Sequence, residues 1–224
     1  MMMRLMLGLI VLLVTHTASA AIVIHAGFLF DTKRGEITEE QTITIEDGRI
    51  LSVQKGFIDV PNADVINLRN AYVSPGFMDM HVHLDGELNP PASYSEEFFM
   101  NSADIALRST VYARRTLNAG FTTVRDLGAG DIDAIFALRD AIEKNIVDGP
   151  RIFAAGKSLA TTGGHADPTN GIRSDLRGDP GPKEGVVNGP EDAYKAVRQR
   201  YKDGSDVVKL TVTGGVLSLA KSGD

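Results

Sequence analysis

Pro75-Gly76-Phe77-Met78-Asp79-Met80-His81-Val82-His83-Leu84-Asp85 is the stretch that decides the fold. A Pro-Gly break is followed by an apolar run with polar residues at alternate positions, so the spacing predicts a strand over Phe77–His83. Side chains two apart share one face of a strand. Asp79, His81 and His83 therefore point one way, and Met78, Met80 and Val82 the other. Met and Val suit the side that packs on helices. The polar face then looks into the interior of an α/β barrel, where adjacent imidazoles need a partner. A divalent cation near the strand's C-terminal end is one such partner, at the ~2.0–2.1 Å of a Zn–N bond. Two hydrogen-bonded histidines without a metal are the competing reading. With no cysteine in the chain, any metal must be held by nitrogen and oxygen donors.

Downstream of this stretch, strands alternate with amphipathic helices, the pattern of βα units around a parallel sheet. Ser95 is expected to cap a first helix carrying Glu96 and Glu97 in its first turn, with Ala106, Thr110, Ala113 and Leu117 on one face and a stop at Gly120. Phe121–Arg125 is the second strand. Asp131 opens a helix with Ile135, Leu138 and Ile142 at helical spacing, Arg151–Ala155 is the third strand, and Pro190 opens a third helix. Asp206–Thr211 is expected as a fourth strand, with Val207, Lys209 and Thr211 on one face and Val208 and Leu210 on the other. The connection from Gly156 to Gly189 is long and rich in Gly, Pro and Asp, and loops of that length are functional or disordered. After a barrel strand it lies on the face where active sites form.

Upstream, Ile22–Ile24, Thr42–Ile45 and Ile50–Val53 are β-rich, and Asp47-Gly48 supplies a hairpin turn. The expected fold class is α/β: a partial (β/α)8 TIM-like barrel, about the first four βα units, preceded by a small β-sandwich-type domain. The expected boundaries are 1–20 for a signal peptide, 21–74 for the β-domain and 75–224 for the first half of the barrel. Met1–Arg4 is a short basic start, Leu5–Val14 a compact apolar run, and Ala18-Ser19-Ala20 a cleavage site. Together they predict a secretory signal cut after Ala20, hence a secreted or periplasmic protein. The apolar run falls short of the ~20 residues of a membrane span, and an uncleaved anchor is the competing reading.

Lys209 is expected to point inward from its strand. A buried lone ammonium is costly and becomes neutral or finds a partner. On the residues alone, an ion pair with Asp79 or Asp126 is the favoured reading. A neutral amine can instead take up carbon dioxide as a carbamate, an anion able to bridge two metals. His165, beside Gly163 and Gly164 in the long loop, reads equally as a substrate contact or as a solvated histidine. Of the five histidines, His16 falls in the signal and His25 in the first β-strand, where a structural role is expected.

Pro75–His83, with its His-x-His, resembles the first-strand motif of the metal-dependent amidohydrolase superfamily. Ala119–Asp126, Gly149–Ile152, Gly163-Gly164-His165 and Val208-Lys209 are similar to its imidazolonepropionase-like branch, which includes prolidase-like Xaa-Pro and Xaa-Arg dipeptidases. The resemblance runs in order from about Ile22 to the end. It implies a binuclear site, usually of two zinc ions, with His81 and His83 on one metal, carboxylated Lys209 bridging both, and a metal-bridging hydroxide as nucleophile. It also implies that His165 binds substrate. The reaction implied is hydrolysis of C–N bonds in dipeptides or short peptides. Alternatives are a cyclic amidase or deaminase of the same superfamily, or a non-catalytic metal- or ligand-binding fragment.

Two further histidine ligands and a proton-shuttling Asp of the family have no counterpart in this sequence. The chain is therefore expected to be a truncated form, inactive alone, with exposed sheet edges that favour a homo-oligomer. A formal net charge of −6 and a pI near 5.4 argue against nucleic acid, whose binders carry basic patches. A small-molecule or short-peptide substrate is expected instead.

Overall fold

Asp47 and Gly48 both adopt positive φ, 49° and 71°, which is what a two-residue hairpin turn needs to match the twist of its strands. They join β2 (Glu36–Glu46) to β3 (Arg49–Lys55). The computed structural model describes residues 21–87, 95–96 and 98–215, so the proposed signal segment lies outside the described residues. The chain divides into two compact units, Met1–Pro75 and Gly76–Asp224.

In the first unit, β1 (Ile22–Asp31) pairs antiparallel with β2 and parallel with β4 (Asp64–Val73). The sheet order is β3-β2-β1-β4. Of the expected sandwich, the described strands of this unit form one sheet and no second layer. Val23, Ala26 and Ile43 are buried along its centre. His25 is buried as well, with Nε2 bonded to the Ile58 carbonyl at 3.0 Å and Nδ1 to Arg69 Nη2 at 3.1 Å. Arg69 also lies 4.6 Å over the Phe57 ring. His25 is thus a satisfied structural histidine. Where β1 meets β4 the register shifts between Ala26 and Phe28. Gly27 sits in that shift with the Arg69 carbonyl so close that a Cβ at 27 would overlap backbone. Gly27→Ala is therefore expected to destabilise this unit by roughly 1–3 kcal/mol, the cost of overpacking against atoms that cannot turn aside. Urea denaturation followed by circular dichroism measures it.

The second unit is built from parallel strands, β5 (Phe77–Val82), β6 (Phe121–Asp126) and β7 (Arg151–Ala154), in that order in the sheet. Helix α1 (Ser102–Asn118) connects β5 to β6, and α2 (Ile132–Glu143) connects β6 to β7. Short α3 (Ser174–Arg177) lies in the long loop, and α4 (Pro190–Asp203) follows it. Leu84, Ala113, Val124, Ile135, Leu138 and Ile152 form the core between sheet and helices. The face predicted for α1 is the one that packs, with Ala113 fully buried. Among the described residues no helix is long and apolar enough to cross a membrane.

Two expectations are corrected. Helix α1 is not capped at Ser95. Ser95 and Glu96 belong to a separate turn that closes with the Met100 N–H donating to the Glu96 carbonyl at 2.8 Å. Asn101 is the cap: its side chain accepts from Ala103 and Asp104, and the Asp104 carboxylate accepts from the Asn101 N–H in return. That reciprocal pair satisfies more of the helix's free N–H groups than a lone serine can.

Asp206–Thr211 is not a strand among the described residues. It makes one parallel bridge, Leu159 to Leu210, with the Leu159 N–H donating to the Lys209 carbonyl at 2.8 Å and the Thr211 N–H to the Leu159 carbonyl at 2.9 Å. The reason lies in the neighbouring strand. The Asp206 N–H reaches the end of β7, donating to the Ala154 carbonyl at 2.9 Å, but Gly156 takes φ 67° and interrupts the pairing until Leu159. The alternation predicted for this segment holds nonetheless. Val207, Lys209 and Thr211 are half-buried, whereas Val208 and Leu210 are exposed.

Candidate active site

The C-terminal ends of β5 and β6 and the loop after β7 converge on one cavity of about 1020 Å³. His81, His83, His165 and Lys209 all line it. The four side chains singled out from sequence, spread over 129 positions from 81 to 209, are therefore brought to one place. His81 lies within β5, and His83 one residue beyond its end. Their ring centroids are 5.3 Å apart with planes at 64°. Two-residue periodicity put both on one face, as the sequence pattern required.

His83 Nδ1 lies 2.6 Å from the Gly128 carbonyl oxygen. A carbonyl only accepts, so Nδ1 carries the proton and the neutral ring keeps its lone pair on Nε2. A carbonyl on one ring nitrogen is the arrangement that readies the other for a metal. The His81 backbone N–H donates to Asp79 Oδ1 at 2.9 Å, which fixes the backbone leading into His81. Burial lowers the His81 pKa, and the Lys209 and His83 charges lower it further against the opposing pull of Asp79. The neutral form of His81 is thereby favoured.

Lys209 makes no ion pair within 4.0 Å among the described residues. The two carboxylates that were candidate partners are engaged elsewhere. Asp79 accepts from His81, and Asp126 accepts from the backbone N–H groups of Leu84 and Gly128. Among the described residues no three His, Asp or Glu side chains stand close enough together to hold one metal ion. The nitrogen donors that the strand end and the 206–211 segment bring to the cavity are the imidazoles of His81 and His83 and the Lys209 amine.

His165 is exposed and presses against Gly215, where a Cβ would overlap its ring. Its loop is shaped by Asp167, which sequence reasoning missed. Asp167 Oδ2 accepts from the Gly163 N–H at 2.7 Å, and Oδ1 accepts from the Thr169 N–H and hydroxyl at 2.9 and 2.6 Å. Burial pushes the Asp167 pKa up, but the Thr169 and Gly163 hydrogen bonds outweigh it and hold the carboxyl below its ordinary value. The Gly163-x-x-x-Asp167-x-Thr169 spacing was the available signal, a side chain closing a loop on its own backbone.

Lys157 was also missed. Its ammonium lines the cavity and, among the described residues, reaches the Gly130 carbonyl at 3.4 Å. Burial lowers its pKa, as do Arg200 and Arg177, against Asp131 and Glu184. Nothing in the local sequence distinguishes it from a solvated lysine.

The family model for the amidohydrolase family matches residues 72–224. Ochratoxinase of Aspergillus niger is 25% identical over 223 residues, covering 92% of this chain and 45% of its own length. A solved Xaa-Pro dipeptidase with methionine bound in the active site is 46% identical, with a TM-score of 0.80 over 92% of this chain and 50% of that one. A prolidase complexed with N-methylphosphonate-L-proline is 33% identical, with a TM-score of 0.75 over 90% of this chain and 49% of that one. The chain thus spans about half the length of the relatives it matches.

Proposed function

We propose that this chain, which belongs to the amidohydrolase family, carries the first half of a hydrolase that cleaves C–N bonds in dipeptides or short peptides. The observation that carries this reading is the convergence of His81, His83 and Lys209 on one cavity, with His83 Nε2 left as a free lone pair by the Nδ1–Gly128 bond. Those residues fit a divalent cation. The donors are nitrogens, one imidazole is already oriented from its far side, and Lys209 has no carboxylate to neutralise it among the described residues. In this reading His81 and His83 hold one metal. Lys209, as a neutral amine, would take up carbon dioxide, forming an N–C bond and releasing a proton, and the resulting carbamate would help His81 and His83 hold divalent cations such as zinc.

When bound, such cations supply Lewis acidity and bring the pKa of water toward ~7. The chain's own residues do the rest. The walls of the cavity hold the peptide. His165 donates a hydrogen bond to the substrate's carbonyl or carboxylate. Lys157 offers a cation, without an ion pair among the described residues, to an anionic end of the substrate. Water adds to the amide carbon, the C–N bond breaks, and the products are a carboxylate and an amine. The solved Xaa-Pro dipeptidase and prolidase at 46% and 33% identity support a dipeptide substrate over a cyclic amide.

We place the three parallel strands and the Leu159–Leu210 bridge in the first arc of a (β/α)8 barrel, with residues 21–74 as a separate β-domain. Residues 1–20 act in this reading as an export signal, so the enzyme works outside the cytoplasm. The test is metal analysis and intact mass of the full chain purified with Zn2+ and bicarbonate. Bound zinc together with an acid-labile mass increase of one CO2, lost in Lys209→Met, is the expected result. A chain that binds no zinc overturns the reading.

A further inference from the structure

The metal reading leaves open what holds His83 in its ligating form, and the inference drawn here rests on that reading. The His83–Gly128 bond joins two residues that both lie beyond the ends of their strands. Gly128 itself takes φ 143°, a backbone conformation side chains rarely allow, and a Cβ there would meet Ser158 Oγ at 2.5 Å. The last ladder bond between the two segments falls just before it, the Leu127 N–H donating to the Val82 carbonyl at 3.1 Å, so the turn of Gly128 beyond that bond needs a further hold.

One carboxylate spans both ends. Asp126 Oδ2 accepts from the Leu84 N–H at 2.8 Å, and its Oδ1 accepts from the Gly128 N–H at 3.3 Å. Leu84 follows His83 directly, and Gly128 supplies the carbonyl that His83 touches. Asp126 is completely buried and has no cation within 4.0 Å among the described residues. A carboxylate in that setting is costly unless its oxygens are satisfied, and the groups that satisfy it are these two N–H groups. Ser158 braces the same turn from the far side, its hydroxyl donating to the Leu127 carbonyl at 3.0 Å.

We propose that Asp126 is a positioning residue that selects the tautomer of His83. By fixing the Leu84 and Gly128 backbones together, it keeps the Gly128 carbonyl on Nδ1 and the Nε2 lone pair turned to the cavity. A carboxylate that merely tied two strand ends would not matter to the imidazole.

The test uses the full chain, metal-free and labelled with 15N-histidine, at neutral pH. Long-range 15N–1H spectra are expected to show His83 with its proton on Nδ1. In Asp126→Asn, whose amide cannot accept at both oxygens, His83 should become a mixture of tautomers. Zn2+ affinity, read by competition with a chelating dye, should fall about 10- to 100-fold. His25 is the internal control. It lies in the other unit, bonded to Ile58 and Arg69, so its resonances should not move, and a native far-UV circular dichroism spectrum with a cooperative melt shows that the variant is folded.

A folded Asp126→Asn chain with the native His83 tautomer and native affinity overturns the proposal. A shifted tautomer in a chain whose parent binds no zinc upholds the positioning role and sinks the ligand reading instead. Should Asp126→Asn fail to fold, the parent chain decides. Slow amide exchange at both Leu84 and Gly128 with Nδ1–H on His83 upholds the proposal. Rapid exchange at either amide, or Nε2–H on His83, overturns it.

Discussion

Alanine at position 83 is expected to strip the metal from the protein and to lower kcat/KM of the complete enzyme by about 10³-fold or more. A catalytic metal contributes several kcal/mol of charge stabilisation, and each 1.36 kcal/mol is a factor of ten in rate. His83 is one of only two imidazoles on the cavity wall contributed by β5 and its end. No cluster of three or more His, Asp and Glu side chains stands by among the described residues to replace it. The control is His165→Ala, which lines the same cavity from a loop. Loss of one hydrogen bond to substrate should cost roughly 10- to 100-fold in kcat/KM while metal content stays at the parent level. Zinc by elemental analysis, beside steady-state kinetics, separates the two. Full zinc occupancy in His83→Ala would remove His83 from the ligand set. Zinc loss in His165→Ala would move His165 into it.

The histidine pair was legible because a strand has a period of two and the expected strand, Phe77 to His83, is seven residues long. The same rule put Val207, Lys209 and Thr211 on one face, and that alternation survives although the segment forms a bridge and no strand. What failed there was the extent of pairing, which depends on Gly156 of a different segment turning to positive φ. The start of α1 failed for a local reason. Ser95 followed by two glutamates looks like a cap, but Asn101 and Asp104 satisfy each other reciprocally and win.

The supports of the site were less legible still. The Asp126 carboxylate acts on Leu84 across 42 positions, and His83 meets Gly128 across 45. Such pairs are set by how strand ends meet in space, and no window of sequence contains both members. Asp126 stood in the sequence reading as a mere candidate ion-pair partner for Lys209. Its real partners are backbone groups, which leave no mark in composition or spacing.

Stability of the metal-free protein is expected to carry a pH dependence that belongs to Asp126. Burial pushes its pKa up, against the Leu84 N–H bond. Asp85 adds to the rise, and the Gly128 N–H and His83 offset part of it, leaving a value of about 6 against 3.8 for a free side chain. The sign follows from which state holds the proton. Below pH ~4 both folded and unfolded chains are protonated at this site, and it contributes nothing. Between ~4 and 6 the unfolded chain has released its proton and the folded chain has not, so raising the pH favours unfolding. Above 6 both are ionised, and the folded state carries the whole penalty, on the order of 3 kcal/mol for a group with no exposed surface. Asp126→Asn has no such titration. It loses an acceptor at every pH, a constant offset. The measurement is urea denaturation of both chains with chelator present, from pH 4 to pH 7, and the quantity is the stability of the parent minus that of the variant. That difference should fall by about 3 kcal/mol across the window, with its midpoint between pH 4 and 6. A difference that stays level would mean that the carboxylate is as well solvated by its two N–H partners as by water. A difference that rises with pH would mean that those bonds hold the ionised form more tightly than burial opposes it.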